Sequence, residues 1–417
     1  MFGTETNYKL LFFQLATIGG CILASLLVKP LVFVVFAISV YAIRQKQDNI
    51  FFCQLFFILP FAMIYKWTPS SSSFFAYILL YYAFYLIIHD KVRLDNILIL
   101  AVYLFLGSMD SIETWAKLVS GFVVLSYFVE ISSQRDIRDY VVCFSVGLVL
   151  SSIVGLYKQD WPVLLLYFSD LNEELIGGEI IARFSGLYCD PNYYSISIIM
   201  AVYFLINFFV RNSINKLFFI VVTVTLIYFG FLTYSKIYML SIVIVLVTQL
   251  RGYYSNSKYK VLTFFVVLIF AFFTVDRFLA SDYFAKFTSR IDTDDISTNR
   301  FTIWSNYLGY LWNNTLSLLL GVGFSSSFYK GTAPHNSYIE GLYFLGIIGS
   351  SLYMFSLSRI LGAKKLIVNR TWENYLILVV FMMMIGTLGV LTFNDIWLYY
   401  MLIWGAMNID YNYRSIK

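Results

Sequence analysis

Residues 192–210 read NYYSISIIMAVYFLINFFV, nineteen positions without an acidic or basic side chain. About 20 apolar residues in a helix cross the hydrocarbon core of a bilayer, so this stretch has the pattern of a membrane-crossing helix. Asp190 and Pro191 precede it, and Arg211 and Lys216 separate it from a second apolar run at 217–233. Runs of the same kind recur outward in both directions, from near residue 10 to near residue 408. A soluble core does not account for so many in a chain that is 60% hydrophobic and 13% charged. The chain reads as a polytopic membrane protein.

The basic residues set the sidedness. Arg44 and Lys46, Lys91 and Arg93, Arg135 and Arg138, Arg211 and Lys216, Arg251 with Lys258 and Lys260, Arg359 through Arg370, and Arg414 with Lys417 each separate apolar runs. With all of these loops cytoplasmic, the spans alternate without conflict. The expectation is an all-α membrane protein of about fourteen helices, or twelve to fourteen, since the runs at 31–43 and 396–408 are short. The spans lie near 10–28, 31–43, 50–66, 73–88, 96–107, 114–131, 140–156, 192–210, 217–233, 237–250, 261–275, 337–357, 375–392 and 396–408. Both termini are cytoplasmic, and residues 1–417 form one integral membrane domain. The first run lacks a small-residue cleavage site and reads as a retained helix.

The net charge of +5 is this topology signal and gives no argument for a nucleic-acid partner. Cys21, Cys53 and Cys143 lie in apolar runs and leave Cys189 alone in an outer loop, so no intrachain disulfide is expected. The two histidines, His89 and His335, are far apart. No metal-ligand spacing is present, and neither metal nor cofactor is expected.

Two segments, about 157–191 and 276–336, break the rhythm of short loops and fall on the same outer face. Loops of that length are usually functional or disordered. The spacing of Trp161, Leu164, Leu165 and Phe168 predicts an interfacial helix, with Asp170, Glu173 and Glu174 facing water near its end. Phe301, Trp304, Leu308, Leu311 and Trp312 predict a second. Anchoring at headgroup level would explain the aromatics alone; the charged residues of the same loops point further.

In the first loop Arg183 has no acidic neighbour in sequence and precedes a helix start that Asp190 or Asn192 can cap. A guanidinium there suits phosphate binding. In the second, Arg277 and Arg290 have Asp276, Asp282, Asp292, Asp294 and Asp295 as possible partners, whereas Arg300 opens the amphipathic stretch after Ser297-Thr298-Asn299 and is a second candidate anion contact. Lys236, in a tight outer turn, is a third, with snorkelling to the interface as its plainer explanation. His335, in Pro334-His335-Asn336-Ser337, is a side chain that exchanges a proton near neutral pH at the mouth of a span. Glu340 follows it by five residues and could orient it. Tyr188, Tyr193, Trp304 and Tyr338 could stack on sugar rings. Gly321-Val322-Gly323 lacks the third glycine of a dinucleotide fingerprint and reads as a turn. A transporter would place ionisable residues at mid-span, yet Glu113 and Lys117 pair near a boundary, and Glu130 and Asp395 lie toward span ends.

Three elements, in order, resemble the bacterial O-antigen polymerases of Wzy type and the related O-antigen ligases. They are Arg183 before Gly186 and Asp190-Pro191-Asn192; Arg300 before Trp304 and Gly321-Val322-Gly323; and His335-Asn336 followed after nine residues by Gly346-x-x-Gly349. The resemblance covers roughly residues 183–350. Where that family tends to have Ser-Arg in the tight outer turn, this chain has Ser235-Lys236, which keeps the charge and loses the planar fork.

The resemblance implies a GT-C-like glycosyltransferase of the bacterial inner membrane, acting without a metal at the periplasmic face on undecaprenyl-diphosphate-linked oligosaccharides. Arg183 and Arg300 with Lys236 would hold the donor diphosphate, His335 would be the base, and Asn336, Glu340, Asp190, Asn192 and Tyr338 would support them. A polymerase would transfer the glycan to a lipid-linked repeat unit, a ligase to lipid A-core. The higher span count favours the polymerase. A chain-length regulator and a flippase are its implied partners. The reading from another class is a lipid-linked oligosaccharide flippase or transporter.

Overall fold

The computed structural model describes residues 8–92, 95, 97–107, 112–132, 134–168, 173–176, 179–211, 213–256, 300–324, 326–362, 379, 380, 382, 386 and 396–409. Seven helices come first: α1 (Tyr8–Ala24), α2 (Leu31–Arg44), α3 (Asp48–Ile58), α4 (Phe74–Ile88), α5 (Leu98–Gly107), α6 (Ile112–Ile131) and α7 (Gln134–Leu156). A loop then carries the single turn α8 (Pro162–Leu165) and the strands β1 (Glu173–Ile176) and β2 (Glu179–Ala182). There follow α9 (Pro191–Val210), α10 (Lys216–Phe231), α11 (Lys236–Asn256), α12 (Arg300–Asn313), α13 (Thr315–Leu320), α14 (Ser337–Leu361) and α15 (Ile396–Ile409).

The stretch that opened the sequence reading is α9. Asp190 caps it, its carboxylate accepting from the Asn192 amide at 2.6 Å, and Pro191 occupies the first turn, where a missing N–H costs nothing. The helix packs against α7, α10 and α11 and is buried over most of its length. Its two interior serines return their hydroxyls to the helix, Ser195 to Pro191 O and Ser197 to Tyr193 O, which keeps them hydrogen-bonded in apolar surroundings. Around this centre α3 packs on α7, α4 on α6, α5 on α14, and α15 on α6 and α7. Gly121 of α6 makes the last contact possible, since a Cβ there would lie 1.9 Å from the Trp397 ring.

Among the described residues, four helices are long and apolar enough to cross a membrane: 112–131, 136–156, 191–210 and 337–361. Seven more, at 8–24, 31–44, 48–61, 74–88, 216–231, 236–248 and 396–407, are apolar but shorter. The expected span at 261–275 lies outside the described residues, as does most of that at 375–392.

Polar contacts collect at the two ends of the bundle. At one end Asp48 accepts from Tyr82 and Tyr127 (2.7 and 2.9 Å), and Asp139 accepts from Tyr8 and Arg138. At the other, Lys117 pairs with Glu113 (2.6 Å) and donates to Ser72, and Lys29 from the α1–α2 turn reaches the Tyr167 hydroxyl. Tyr167 belongs to the long loop after α7, so that loop shares its end with the α1–α2 and α3–α4 turns, as the alternating topology requires.

α14 is broken at Gly346, whose φ of 64° and ψ of −173° are not helical. A break inside an apolar helix frees carbonyls that need partners. Here Val322 N donates to Tyr343 O (2.9 Å), Gly323 N to Phe344 O (3.1 Å), and the Tyr103 hydroxyl of α5 lies 2.8 Å from Leu345 O. The approach needs glycine on both sides: a Cβ on Gly321 would stand 2.2 Å from Phe344 O, and one on Gly346 2.4 Å from Gly321 N. The Gly-x-Gly turn and the Gly346-x-x-Gly349 pattern are thus two halves of one backbone joint.

The loop after α7 departs from expectation. Instead of one interfacial helix through Phe168, it forms the four-residue α8 and then an antiparallel hairpin pairing Glu173 with Ala182 and Ile176 with Glu179. Glu173 and Glu174 therefore lie in a strand, and Asp170 falls outside the described residues. The cause is local: Leu175-Ile176 and Ile180-Ile181 flank Gly177-Gly178, and a glycine pair between β-branched runs favours a two-residue hairpin. The bundle itself is all-helical. The second expected surface helix is present as α12, but it has two apolar faces. Tyr307 and Leu311 are buried against Tyr343 and Phe344 of α14, while Phe301, Leu308 and Trp312 face outward along a shallow groove with Trp304.

Candidate functional site

Two arms carry the expected residues. The first begins as the chain leaves β2. Arg183 is buried, with Nε donating to Thr233 O (3.0 Å) and Nη2 to Asn192 Oδ1 (3.3 Å). Asn192 Oδ1 also accepts from Ser235 Oγ at 3.0 Å, and Phe184 N donates to Leu232 O. The Arg183 strand therefore runs along the tight α10–α11 turn, in which Tyr234 takes a positive φ of 48°. Lys236 opens α11 directly after Ser235, which brings the turn of the third expected cation to the first.

The second arm is α12 with the loop that leads into α14. The Trp304 indole donates to Pro334 O (2.8 Å), and the Tyr307 hydroxyl donates to Thr332 O (2.6 Å). These bonds fix the backbone on the N-terminal side of His335, and Asn336 fixes it on the other by capping α14, its Oδ1 accepting from the amides of Tyr338 and Ile339 (3.0 and 3.2 Å). His335 is held between them at φ 47°, a left-handed conformation that a non-glycine residue keeps only when its surroundings impose it.

Electrostatics join the arms. His335 is exposed at the surface, yet nearby protein removes part of its hydration and lowers its pKa below the usual imidazole value; the charge of Arg300 lowers it further, and Asp190 opposes both. Arg300 comes from the start of α12 and Asp190 from the cap of α9, so charges on two segments distant in sequence act on one imidazole. A lowered pKa favours the unprotonated imidazole, the form that can accept a proton.

The remaining expected residues lie around this centre. Glu340 is 1% exposed in the first turn of α14, where a carboxylate complements the helix dipole. Tyr338 is partly exposed, and its hydroxyl donates to Met382 O at 3.1 Å, which turns it toward the 380s segment.

The sequence reading missed Lys158, which contacts Ser185 in the Arg183 loop. A signal was present, because Lys158 is a basic residue in an outer loop, where positive-inside topology leaves few.

Residues 221–354 match the O-antigen ligase family model. The match is consistent with the O-antigen polymerase/ligase superfamily. It takes in Lys236, Arg300, His335, Asn336, Tyr338 and Glu340, and it leaves Arg183, Asp190 and Asn192 outside. No curated protein and no solved structure matches the chain. The apolar helices and the family match together indicate a multi-pass membrane protein with O-antigen ligase/polymerase-type activity in general, of a glycosyltransferase-like class.

Proposed function

We propose that the protein is a polysaccharide polymerase of the inner membrane, moving a growing glycan from undecaprenyl diphosphate to a lipid-linked repeat unit at the periplasmic face. The supporting observation is the fixed backbone of His335, held by Trp304, Tyr307 and Asn336, with a pKa lowered by lost hydration and by the charge of Arg300. His335 takes the proton of the acceptor hydroxyl as that oxygen bonds to the anomeric carbon. The bond from that carbon to the diphosphate oxygen breaks on the opposite side, inverting the centre. The electron pair leaves with undecaprenyl diphosphate, whose charge Arg183, Arg300 and Lys236 stabilise; the imidazolium then returns its proton to water.

The name of the matching family keeps a second reading in view, transfer to lipid A-core by a ligase, which needs the same donor chemistry. Incubating the purified protein with lipid-linked repeat units, with and without lipid A-core, and resolving the products on a gel separates the two. A ladder without lipid A-core supports the polymerase. Transfer only when lipid A-core is present favours the ligase, and no transfer under either condition favours a transporter.

A further inference from the structure

Lys158 lies two residues past the end of α7 and is only 7% exposed. Its ammonium donates to Ser185 Oγ at 3.3 Å and stands 3.8 Å from the centre of the Phe168 ring. Among the described residues no carboxylate is within ion-pair distance of it. Removing an ammonium from water without a counter-ion is costly, and burial accordingly lowers its pKa to about 8, against a smaller opposing effect of Cys189.

The group that this cation grips is informative. Ser185 lies two residues past Arg183 in the loop that leads to Asp190, and its hydroxyl donates onward to Tyr188 O at 3.0 Å, so Lys158 fills the acceptor side of a hydroxyl that already closes the loop. One residue further, Gly186 comes so near Gly155 of α7 that a Cβ on Gly155 would be 2.6 Å from its Cα. The 183–190 loop is therefore pressed onto the end of α7 by one close backbone approach and one buried charge. A glutamine could make the same hydrogen bond without ionic desolvation. A charge kept there, weakly screened, also adds to the positive field of Arg183.

We propose that Lys158 is a positioning residue for the diphosphate site, its ammonium clamping Ser185 to α7 so that Arg183 and Asp190 are presented to the donor in fixed geometry. The proposal rests on the glycosyl-transfer reading above for its consequence and on the loop geometry for its placement.

Two readouts test these separately. Cys189 is exposed and the other three cysteines are buried or half-buried, so a polar maleimide applied to the folded protein in detergent reports on the Cys189 thiol. The charge of the Cys189 thiolate acts on Lys158; Asp160 shares the turn of Lys158 and Asp190 the loop of Cys189. Lys158→Met, which removes both the charge and the donor to Ser185, is expected to slow labelling near neutral pH about threefold to tenfold, because a neighbouring cation favours the thiolate. An unchanged rate overturns the clamp. In the transfer assay Lys158→Met is expected to raise KM for the lipid-diphosphate donor about tenfold with kcat within about threefold, and Lys158→Arg to restore KM. An unchanged KM, or a loss confined to kcat, overturns the positioning role. If wild-type protein transfers no glycan, the functional reading fails, and the labelling comparison still decides whether the ammonium holds the loop.

Discussion

The indole Nε1 of Trp304 donates to the Pro334 carbonyl at 2.8 Å, so the helix that carries Arg300 also holds the residue before His335. The proposed anion contact and the proposed base are thereby tied to one helix although 35 positions separate them in the chain. Trp304→Phe keeps the ring and removes the donor, leaving a half-buried carbonyl unpaired. A loss of about 1–3 kcal/mol in the stability of this arm is expected, with kcat reduced about tenfold while donor binding persists. Steady-state kinetics beside a thermal melt in detergent check it.

The pH profile has a fixed sign. His335 must be neutral to act as a base, and its pKa lies below the usual imidazole value because of lost hydration and the charge of Arg300. The acid limb of activity is expected at a pH below the usual imidazole value. Arg300→Gln removes one lowering influence and should move this acid limb to higher pH, whereas Asp190→Asn removes the opposing one and should move it lower. A limb that stays fixed in both variants would assign it to another group.

Arg183 binds Thr233 O and Asn192 through two different nitrogens. Arg183→Lys keeps the charge and forfeits the fork. A rise of about tenfold in KM for donor is expected, with smaller change in kcat, measured against donor concentration. Lys236→Arg is expected to leave the fold intact and lower KM, since it supplies the fork that the α10–α11 turn lacks.

Gly346→Ala would put a Cβ 2.4 Å from Gly321 N and 2.5 Å from the Leu319 carbonyl, at a φ of +64°. Strain plus a displaced backbone joint is expected to cost upwards of about 3 kcal/mol. Size-exclusion profile and melting temperature check this, with Gly362→Ala, which meets nothing within 4 Å, as the positive-φ control that separates clash from strain.

The helices were legible because apolar runs between basic turns leave the chain few alternatives in a membrane, and the Asp190-Pro191 start of α9 was written in its capping chemistry. The Arg300 helix was legible from its period, although its second apolar face was not, because period alone does not say that Tyr307 and Leu311 meet α14. The hairpin had a readable signal in Ile176-Gly177-Gly178-Glu179-Ile180, overridden by the helical spacing just before it. The break at Gly346 had no local signature: its carbonyls are satisfied by Val322, Gly323 and Tyr103, and such long-range partners are invisible in a window of sequence. Lys158 stood out as a basic residue in an outer loop, but its burial was hidden for the same reason, since it depends on Phe168 and Ser185 folding over it.

The central claim is that His335 removes the acceptor proton beside a diphosphate held by arginine. The most direct measurement compares wild type with His335→Ala and Arg300→Ala in the purified polymerisation assay, scoring product ladder and donor binding together. His335→Ala is expected to abolish the ladder, by about a hundredfold or more in rate, while still binding lipid-linked donor; Arg300→Ala should weaken binding as well. A ladder of normal length and rate from His335→Ala would contradict the account.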